Sequence, residues 1–183
     1  MAGPASVVLP SLVPVFHGWI QKQAVPGHLL IDVHDYSHIH NGPGILLVGH
    51  EGNFSMDMDG GEPGLFYYRK QPLGGGPEVH LASALKTALH GCELLEDEPG
   101  LNSLRFRTDE LLVIASDRLH APNDGATFSE FQAVLASVFG SLSGNTNPTF
   151  KHVSANPKER FAVRVETGQT AGAKVLLDRM NRA

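Results

Sequence analysis

The feature that most constrains the fold is a series of short apolar runs, broken by dense turn signals, between residues 28 and 71. The runs are HLLIDVHDY (28–36), ILLVGHEGNFSMDM (45–58) and LFYYRKQ (65–71), and the breaks are HNGPG (40–44) and DGGEPG (59–64). Glycine supplies positive φ and proline fixes φ, so each break can reverse the chain. We therefore expect three strands in an antiparallel meander, and the continuous apolar start of 45–58 predicts a well-buried central strand.

The rest of the chain alternates between helical and strand patterns. Apolar residues recur at helical spacing in four segments: 11–23, 78–98, 123–142 and 171–183. Strands are expected at 149–154 and 160–166, and the segment 104–122 predicts two strands around a tight turn at Thr108-Asp109. Single helices placed between short hairpins are typical of the α+β class.

We predict one α+β domain at residues 12–183, preceded by a loose N-terminal arm at residues 1–11. The 183 residues are enough for a single domain of ordinary size. The expected sheet is antiparallel or mixed, with helices mainly on one face. A strand followed by a helix occurs twice, at ILLVGHEGNF (45–54) and ELLVIASDRL (110–119), so an internal duplication is an alternative description of the pattern.

Composition excludes several classes of function. A net charge of −5 gives no electrostatic reason to bind nucleic acid or an anionic membrane, so we predict neither as a partner. No apolar run approaches the roughly 18–20 residues that span a bilayer, and the first residues lack the basic start of a signal peptide. The single cysteine, Cys92, cannot form an internal disulfide. These observations predict a soluble cytoplasmic protein.

A cluster of histidines marks the candidate site. Four of the ten histidines lie between residues 31 and 57: His34, His38, His40 and His50. Alternate residues of a strand share a face. One face of the first strand therefore carries four polar side chains: Asp32, His34, Tyr36 and His38. His50 follows an apolar run, so we expect it to be at least partly buried. If HNGPG turns the chain back, His34 or His38 could approach His50 or Glu51.

Such a group suits a divalent metal. Two or three imidazoles and a carboxylate could hold zinc, or iron bound by two histidines and one carboxylate. The candidate ligands are His34, His38 and His50. In an enzyme of hydrolase or oxygenase type, Glu51 would be a ligand or general base and His50 the second candidate catalytic residue. The spacing matches no established motif, including H-E-x-x-H, and the histidines could instead simply line a polar strand face and a turn.

A metal-free site for a small molecule is a further alternative. Its candidate ligand-binding residues are Asp35, Tyr36, His38, Asn53 and Arg118. Arg118 precedes a predicted helix N-terminus, where an anion could bind. On this basis we expect a non-enzymatic binding or accessory protein, with a metal-dependent enzyme or metal-binding protein as the alternative. Exposed strand edges predict a homodimer.

Several stretches together resemble a family of small, uncharacterised bacterial proteins. They are VPVFHGWIQ (13–21), LLIDVHDYSHIHNGPGILLVGHE (29–51), GLFYYRK (64–70), LRFRTDELLV (104–113) and DRLHAPN (117–123). The likeness therefore extends over most of the chain. It implies a bacterial, intracellular single domain, and it implies no reaction, cofactor or functional residue.

Overall fold

A computed structural model describes residues 8–40, 42–57, 63–101, 104–140, 142, 144 and 146–182. The helices are α1 (Leu12–Lys22), α2 (Pro77–Glu96), α3 (Gly125–Gly140) and α4 (Ala173–Arg182). The strands are β1 (Leu30–Tyr36), β2 (Gly44–Gly49), β3 (Gly52–Asp57), β4 (Gly64–Arg69), β5 (Glu110–Ile114), β6 (Thr149–His152) and β7 (Ala162–Glu166). Among these residues, none of the helices combines the length and the apolar character needed to cross a membrane.

The strands form two antiparallel sheets, and the chain divides into two compact units. Unit 1 contains the described residues of Met1–Gly74 and Ser83–Phe106, with the four-stranded sheet β1-β2-β3-β4. Unit 2 contains Gly75–Ala82 and the described residues of Arg107–Ala183, with the three-stranded sheet β5-β7-β6. Helices together with antiparallel strands confirm the predicted α+β class. The two sheets differ in strand number and in strand order.

The predicted meander is present in unit 1, with one strand more than expected. The sequence predicts one strand over 45–58, whereas the chain forms β2 and β3 joined by His50 and Glu51. The single-strand prediction is wrong because glycines flank this pair. A Cβ on Gly49 would lie 2.5 Å from the Gly52 carbonyl oxygen, so glycine permits a tight reversal that a larger residue would obstruct.

Helix α1 closes the core of unit 1 with large aromatic side chains. Phe16 and Trp19 lie one turn apart on the helix, and both are buried. The Trp19 ring meets Phe54 of β3 edge-on, with ring centroids 5.8 Å apart. Phe54 in turn meets Tyr67 of β4 at 4.9 Å. A continuous series of ring contacts therefore connects α1 with β3 and β4.

Helix α2 approaches the same sheet closely at a glycine. A Cβ on Gly91 would lie 2.8 Å from the Phe54 ring and 3.0 Å from the Leu65 side chain. The missing side chain lets the helix backbone come near the sheet. His90 Nε2 lies 3.1 Å from the Ala24 carbonyl oxygen and donates to it, which ties α2 to the segment that follows α1.

The segment 104–109 departs from the prediction, because it forms no strand. Its backbone bonds to the end of α2 instead of to a neighbouring strand. The Phe106 N–H donates to the Glu96 carboxylate at 2.8 Å, and the Arg105 guanidinium donates to the Glu96 carbonyl oxygen at 3.3 Å. A polar side chain that captures a backbone N–H competes with strand formation.

Unit 2 contains the strand predicted at 160–166 as its central strand β7. Val163 and Val165 of β7 are fully buried, and Arg164 between them is exposed. Helix α3 begins earlier than its predicted cap. The sequence suggests a capping box starting at Thr127, but the Asp124 carboxylate accepts the Thr127 N–H at 2.8 Å and caps the helix.

The predicted loose arm is only partly described. Residues 1–7 lie outside the described residues. Leu9–Ser11 form a short 3-10 helix, and Leu9 packs against the core of unit 1. Helical structure therefore begins before the predicted boundary at residue 11, because an apolar side chain at position 9 has a core to pack against.

Candidate functional site

The antiparallel pairing of β1 with β2 separates the histidines that the sequence was expected to bring together. His34 pairs with Leu46. His50 follows Leu46 by four positions, so it lies about 13 Å from His34 along the strand direction. His38 lies in the connection that follows β1, at the opposite end of β2 from His50. The reason is topological: the two polar turns are attached to opposite ends of one strand.

These positions assemble no set of metal ligands. Within the described part of the chain, His, Cys, Asp and Glu side chains form no group of three or more that could hold a metal ion. His34 lies 3.5 Å from the Asp32 carboxylate, whose other oxygen accepts the Val33 N–H at 2.8 Å. The side chains of His38 and His50 are exposed. The described residues therefore do not bring His34, His38 and His50 together as a zinc or iron site, and the expected burial of His50 is wrong.

Substitution of the separated histidines tests this arrangement. We expect His34→Ala and His50→Ala to change the free energy of unfolding additively. Their coupling should stay below about 0.5 kcal/mol, because distant residues without shared partners act independently. Denaturant unfolding of both single variants and the double variant measures the coupling. A coupling above about 1 kcal/mol, or one that grows on addition of zinc, would contradict the separation.

Two of the predicted ligand-binding residues, Asp35 and Tyr36, remain near the end of β1. The Asp35 carboxylate accepts hydrogen bonds from the Ser37 hydroxyl at 2.6 Å and the Ser37 N–H at 2.8 Å. These bonds hold the pKa of Asp35 below its usual range. Tyr36 is half-buried, with its ring centroid 5.9 Å from that of His34. Asp35 thus stabilises the turn that follows β1.

Of the other three, His38 lies in the connection after β1, and Asn53 and Arg118 lie elsewhere. The Asn53 side-chain oxygen accepts the Gly49 N–H at 3.2 Å, which braces the β2–β3 connection. Arg118 belongs to unit 2, where its guanidinium donates to the Pro157 carbonyl oxygen at 2.9 Å. The structure therefore does not unite the predicted ligand-binding residues in one place.

A different polar group forms where the β2–β3 connection lies between the start of β1 and the end of β4. The His50 N–H donates to the Leu29 carbonyl oxygen at 2.8 Å, and Glu51 Oε2 accepts the Leu29 N–H at 2.7 Å. On the other side, the Glu51 carbonyl oxygen accepts the N–H groups of Lys70 at 2.8 Å and Gln71 at 3.1 Å. The two-residue connection is therefore held by chain segments on both sides.

A histidine–tyrosine pair lies beside this connection. His28 Nε2 and the Tyr67 hydroxyl oxygen are 2.6 Å apart. His28 Nδ1 lies 3.1 Å from the Pro26 carbonyl oxygen, which can only accept, so Nδ1 carries the hydrogen. In neutral His28, Nε2 is then the acceptor and Tyr67 donates. We call the whole group the sheet-end cluster: His28, His50, Glu51, Tyr67, Arg69 and Lys70.

Glu51 supplies the negative charge of the sheet-end cluster. The pKa of its carboxyl group lies below the usual range because the Leu29 N–H donates to it, and the neighbouring His50 and His28 rings lower it further. Glu51 is therefore ionised at neutral pH and engaged with the backbone. A carboxylate with a lowered pKa is a weaker base, so this arrangement does not favour the general-base role predicted from the sequence.

Tyr67 remains a neutral phenol at neutral pH. Burial raises its pKa above the usual value of about 10, and the negative charge of Glu51 raises it further, while the positive charge of Arg69 opposes both. The Tyr67 side chain is half-buried and packs against Phe54. Tyr67 therefore acts as a hydrogen-bond donor to His28 and not as a phenolate nucleophile.

The raised pKa of Tyr67 predicts a pH dependence. The folded chain binds this proton more tightly than the unfolded chain, so the stabilisation is complete below about pH 10 and is lost as the pH rises through the folded pKa. Ultraviolet absorbance should show a tyrosine ionisation at a pH above the usual pKa of about 10. Tyr67→Phe should remove that late step. Loss of an earlier step would contradict the assignment.

One sequence signal points to this cluster: Gly49 and Gly52 bracket the polar pair His50-Glu51. The sequence analysis runs one strand through these glycines, as a bulge or as a place where another backbone comes close, and this leaves the end of β4 remote from His50. A hairpin at the same glycines brings β4 alongside β3, and Gly52 then pairs with Arg69. His28, Tyr67 and Arg69 are accordingly absent from the predicted site.

Unit 2 contains an open cleft of about 750 Å³. It is lined by Asp109, Glu110, Glu166, Gly168, Gln169 and Thr170. Its acidic side chains pair with neighbouring cations: Asp109 with Arg107, Glu110 with Arg164, and Glu166 with Lys151. Each of these acidic side chains therefore already has a cationic partner within the fold. None of the residues that line the cleft was predicted for the site from the sequence.

In comparisons with known proteins, no family model, curated protein or solved structure matches the chain. The resemblance to a bacterial family therefore stays a prediction. Inference about function depends on the geometry and charge of the described residues.

Proposed function

We propose that this chain is a small binding protein and that its ligand site is the sheet-end cluster. The observation that carries the proposal is the anchoring of the β2–β3 connection on both sides, by Leu29 and by Lys70 and Gln71. This anchoring fixes the Glu51 side chain and the backbone that carries the neighbouring polar side chains before a ligand arrives. Polar groups that are already ordered bind at a lower entropic cost.

The pKa shifts support binding more than catalysis. A catalytic acid or base works best with a pKa near the operating pH. The pKa of Tyr67 is raised and that of Glu51 is lowered, so both move away from neutrality. Each group also has a structural partner, His28 for Tyr67 and the Leu29 N–H for Glu51. The metal-dependent alternative has no observation in its favour, since its candidate ligands are separated.

A matched pair of variants tests the location of the site. His34→Ala and His50→Ala each remove an exposed imidazole from the four-stranded sheet, at positions about 13 Å apart. A set of small polar compounds of every charge type is screened for those that raise the melting temperature of the full chain. We expect the hits to lose their effect in His50→Ala and to keep it in His34→Ala.

Two outcomes of this screen would overturn the proposal. If the hits lost their effect in His34→Ala alone, the site would return to the polar face of β1. If the hits stabilised both variants as well as the wild-type chain, the ligand site would lie elsewhere. The backbone bonds of residue 50 survive the substitution by alanine, so loss of folding does not confuse the result.

We also propose, as the sequence predicts, that the protein is bacterial and cytoplasmic and that it forms a homodimer. β1 and β4 are the outer strands of the four-stranded sheet. Outer strands leave backbone groups with which a second copy can pair. Light scattering on the purified chain tests the oligomer: a mass of two chains supports it, and a mass of one chain over a wide concentration range contradicts it.

A further inference from the structure

We infer that two copies of the chain join through β4, with the two strands antiparallel and Tyr67 opposite the partner's Tyr67. Two sheets of four strands then become one sheet of eight. The inference rests on the homodimer proposed above and adds its border and its register. It follows from the direction of the backbone groups of β4, from the regularity of the outer strands, and from the side chains that meet.

The backbone groups of every second residue of β4 point away from the sheet. The Lys70 N–H donates to the Glu51 carbonyl oxygen at 2.8 Å, so the backbone of residue 70 faces β3. The pairing of β3 with β4 is regular over the whole of β4, and residues of an antiparallel ladder alternate between facing the neighbouring strand and facing away from it. Three residues therefore direct their N–H and C=O groups to the outer border: Leu65, Tyr67 and Arg69. In the described part of the chain, no hydrogen bond joins these groups to another segment.

β4 is the longest regular strand at the borders of the two sheets. The described residues form four outer strands: β1, β4, β5 and β6. β4 has six residues, whereas β5 has five and β6 has four. β1 has seven residues, but its register with β2 shifts between Leu30 and Asp32. A long and regular outer strand is the border that pairs most readily with another chain.

One antiparallel register uses all three outward residues of both copies. When Tyr67 lies opposite the partner's Tyr67, Leu65 lies opposite the partner's Arg69 and Arg69 lies opposite the partner's Leu65. Each of these pairs exchanges two N–H···O bonds, so the border gains about six hydrogen bonds. A shift by two residues in either direction leaves one outward residue of each copy without an outward partner in β4, and it therefore forms fewer bonds.

The same register brings aromatic side chains together and keeps like charges apart. Phe66 lies opposite the partner's Tyr68 in a pair without hydrogen bonds, where the side chains of antiparallel strands come closest. Phe66 is half-buried and Tyr68 is 42% exposed, so both have surface left to bury. Aromatic pairs across strands stabilise a sheet, whereas like charges directly opposite each other destabilise it. Arg69 lies opposite an apolar residue, about 13 Å along the strands from the partner's Arg69.

Amide hydrogen exchange of the ¹⁵N-labelled full chain at high and low protein concentration tests the border. We expect the amides of Leu65, Tyr67 and Arg69 to exchange more slowly at high concentration. The slowing is about tenfold when about nine-tenths of the chains are paired, because exchange then proceeds through the remaining monomer. The amides of Phe66 and Tyr68 face β3 and should be protected equally at both concentrations. Concentration-dependent protection in β5 or β1 instead of β4 would overturn the inference.

Two substitutions at one position give the control. Arg69→Pro removes an outward N–H and leaves the ladder with β3 intact, because proline is tolerated where the amide of an outer strand faces solvent. Arg69→Gln makes the same change of charge and keeps the N–H. In sedimentation equilibrium, we expect Arg69→Pro to weaken the dimer by about tenfold, since two hydrogen bonds are lost with the symmetric pair. Equal weakening by Arg69→Gln would attribute the association to the charge and would overturn the inference.

Cross-linking tests the register without removing a backbone group. Chains with Phe66→Cys are mixed with chains with Tyr68→Cys, both in a Cys92→Ala background, and are oxidised at high concentration. We expect disulfides to join unlike chains, because residues 66 and 68 lie opposite each other in this register. Disulfides that join mainly like chains would contradict the register.

The inference and the proposals above can fail separately. A mass of two chains with concentration-dependent protection outside β4 contradicts the inference and leaves the homodimer standing. A mass of one chain over the whole concentration range contradicts both. The ligand site is tested by His50→Ala and His34→Ala, and the result of that screen does not depend on which strand forms the interface.

Discussion

Replacing Phe54 by alanine should lower the free energy of unfolding by about 3–5 kcal/mol, the range for deletion of a large aromatic ring from a core. Phe54 is fully buried. Its ring contacts Trp19 and Tyr67, and it lies beneath Gly91, where a helix approaches the sheet. Because α1, α2 and β4 all border this ring, its removal leaves a cavity that no single element can close.

Denaturant unfolding followed by the fluorescence of Trp19, the chain's single tryptophan, measures this loss. Tyr68→Ala is the matched control, because Tyr68 is an aromatic residue of the adjacent strand whose side chain is exposed. We expect the control to change stability by only about 0.5 kcal/mol. A Phe54→Ala cost as small as that of Tyr68→Ala would show that the ring is not part of the core.

Gly52→Ala should be the second most damaging change, with an expected cost of about 1–3 kcal/mol. A Cβ at this position would lie 2.5 Å from the Tyr67 hydroxyl oxygen and 2.7 Å from the Tyr68 carbonyl oxygen. The tyrosine side chain can move away, but the carbonyl oxygen belongs to the backbone of β4. The variant should therefore separate Tyr67 from His28 and also strain the β3–β4 ladder.

Gly64→Ala provides the comparison, since Gly64 pairs with Asp57 at the other end of the same two strands. Among the described residues, no neighbouring atom lies within 4 Å of the point that a Cβ on Gly64 would occupy. This variant should leave the melting temperature nearly unchanged. In Gly52→Ala the late ionisation of tyrosine should also shift toward the usual pH, because Tyr67 leaves its buried position. Equal stability of the two glycine variants would disprove the close approach.

The local pattern of apolar, polar and turn-forming residues was enough to predict the fold class and most of the helices and strands. The turn signals at Gly42-Pro43-Gly44 separate β1 from β2 as expected. A strand was predicted at 160–166 and is present as β7, in which Val163 and Val165 are buried and Arg164 is exposed. Patterns of this kind are encoded by residues that are close in sequence, and they succeed because each element buries its own apolar face.

The site could not be predicted in the same way because it depends on strand register. His28 and Tyr67 meet across 39 positions of the chain, and their contact requires both the β2–β3 reversal and its register with β4. The sequence interpretation placed one strand where there are two, and a misplaced turn moves every later strand end relative to the earlier ones. Histidines close in sequence were consequently expected to converge, whereas the hairpin places His38 and His50 at opposite ends of β2.

The contact between Asp32 and Val33 has a consequence for the outer border of the four-stranded sheet. β1 pairs with β2 on one side, and its register is irregular between Leu30 and Asp32. The Asp32 carboxylate occupies the Val33 N–H, so that amide is not available to an incoming chain. An irregular strand with an occupied amide is a poor template for fibril growth. Copies that joined through β1 would first have to displace Asp32, which makes β4 the easier border for self-association.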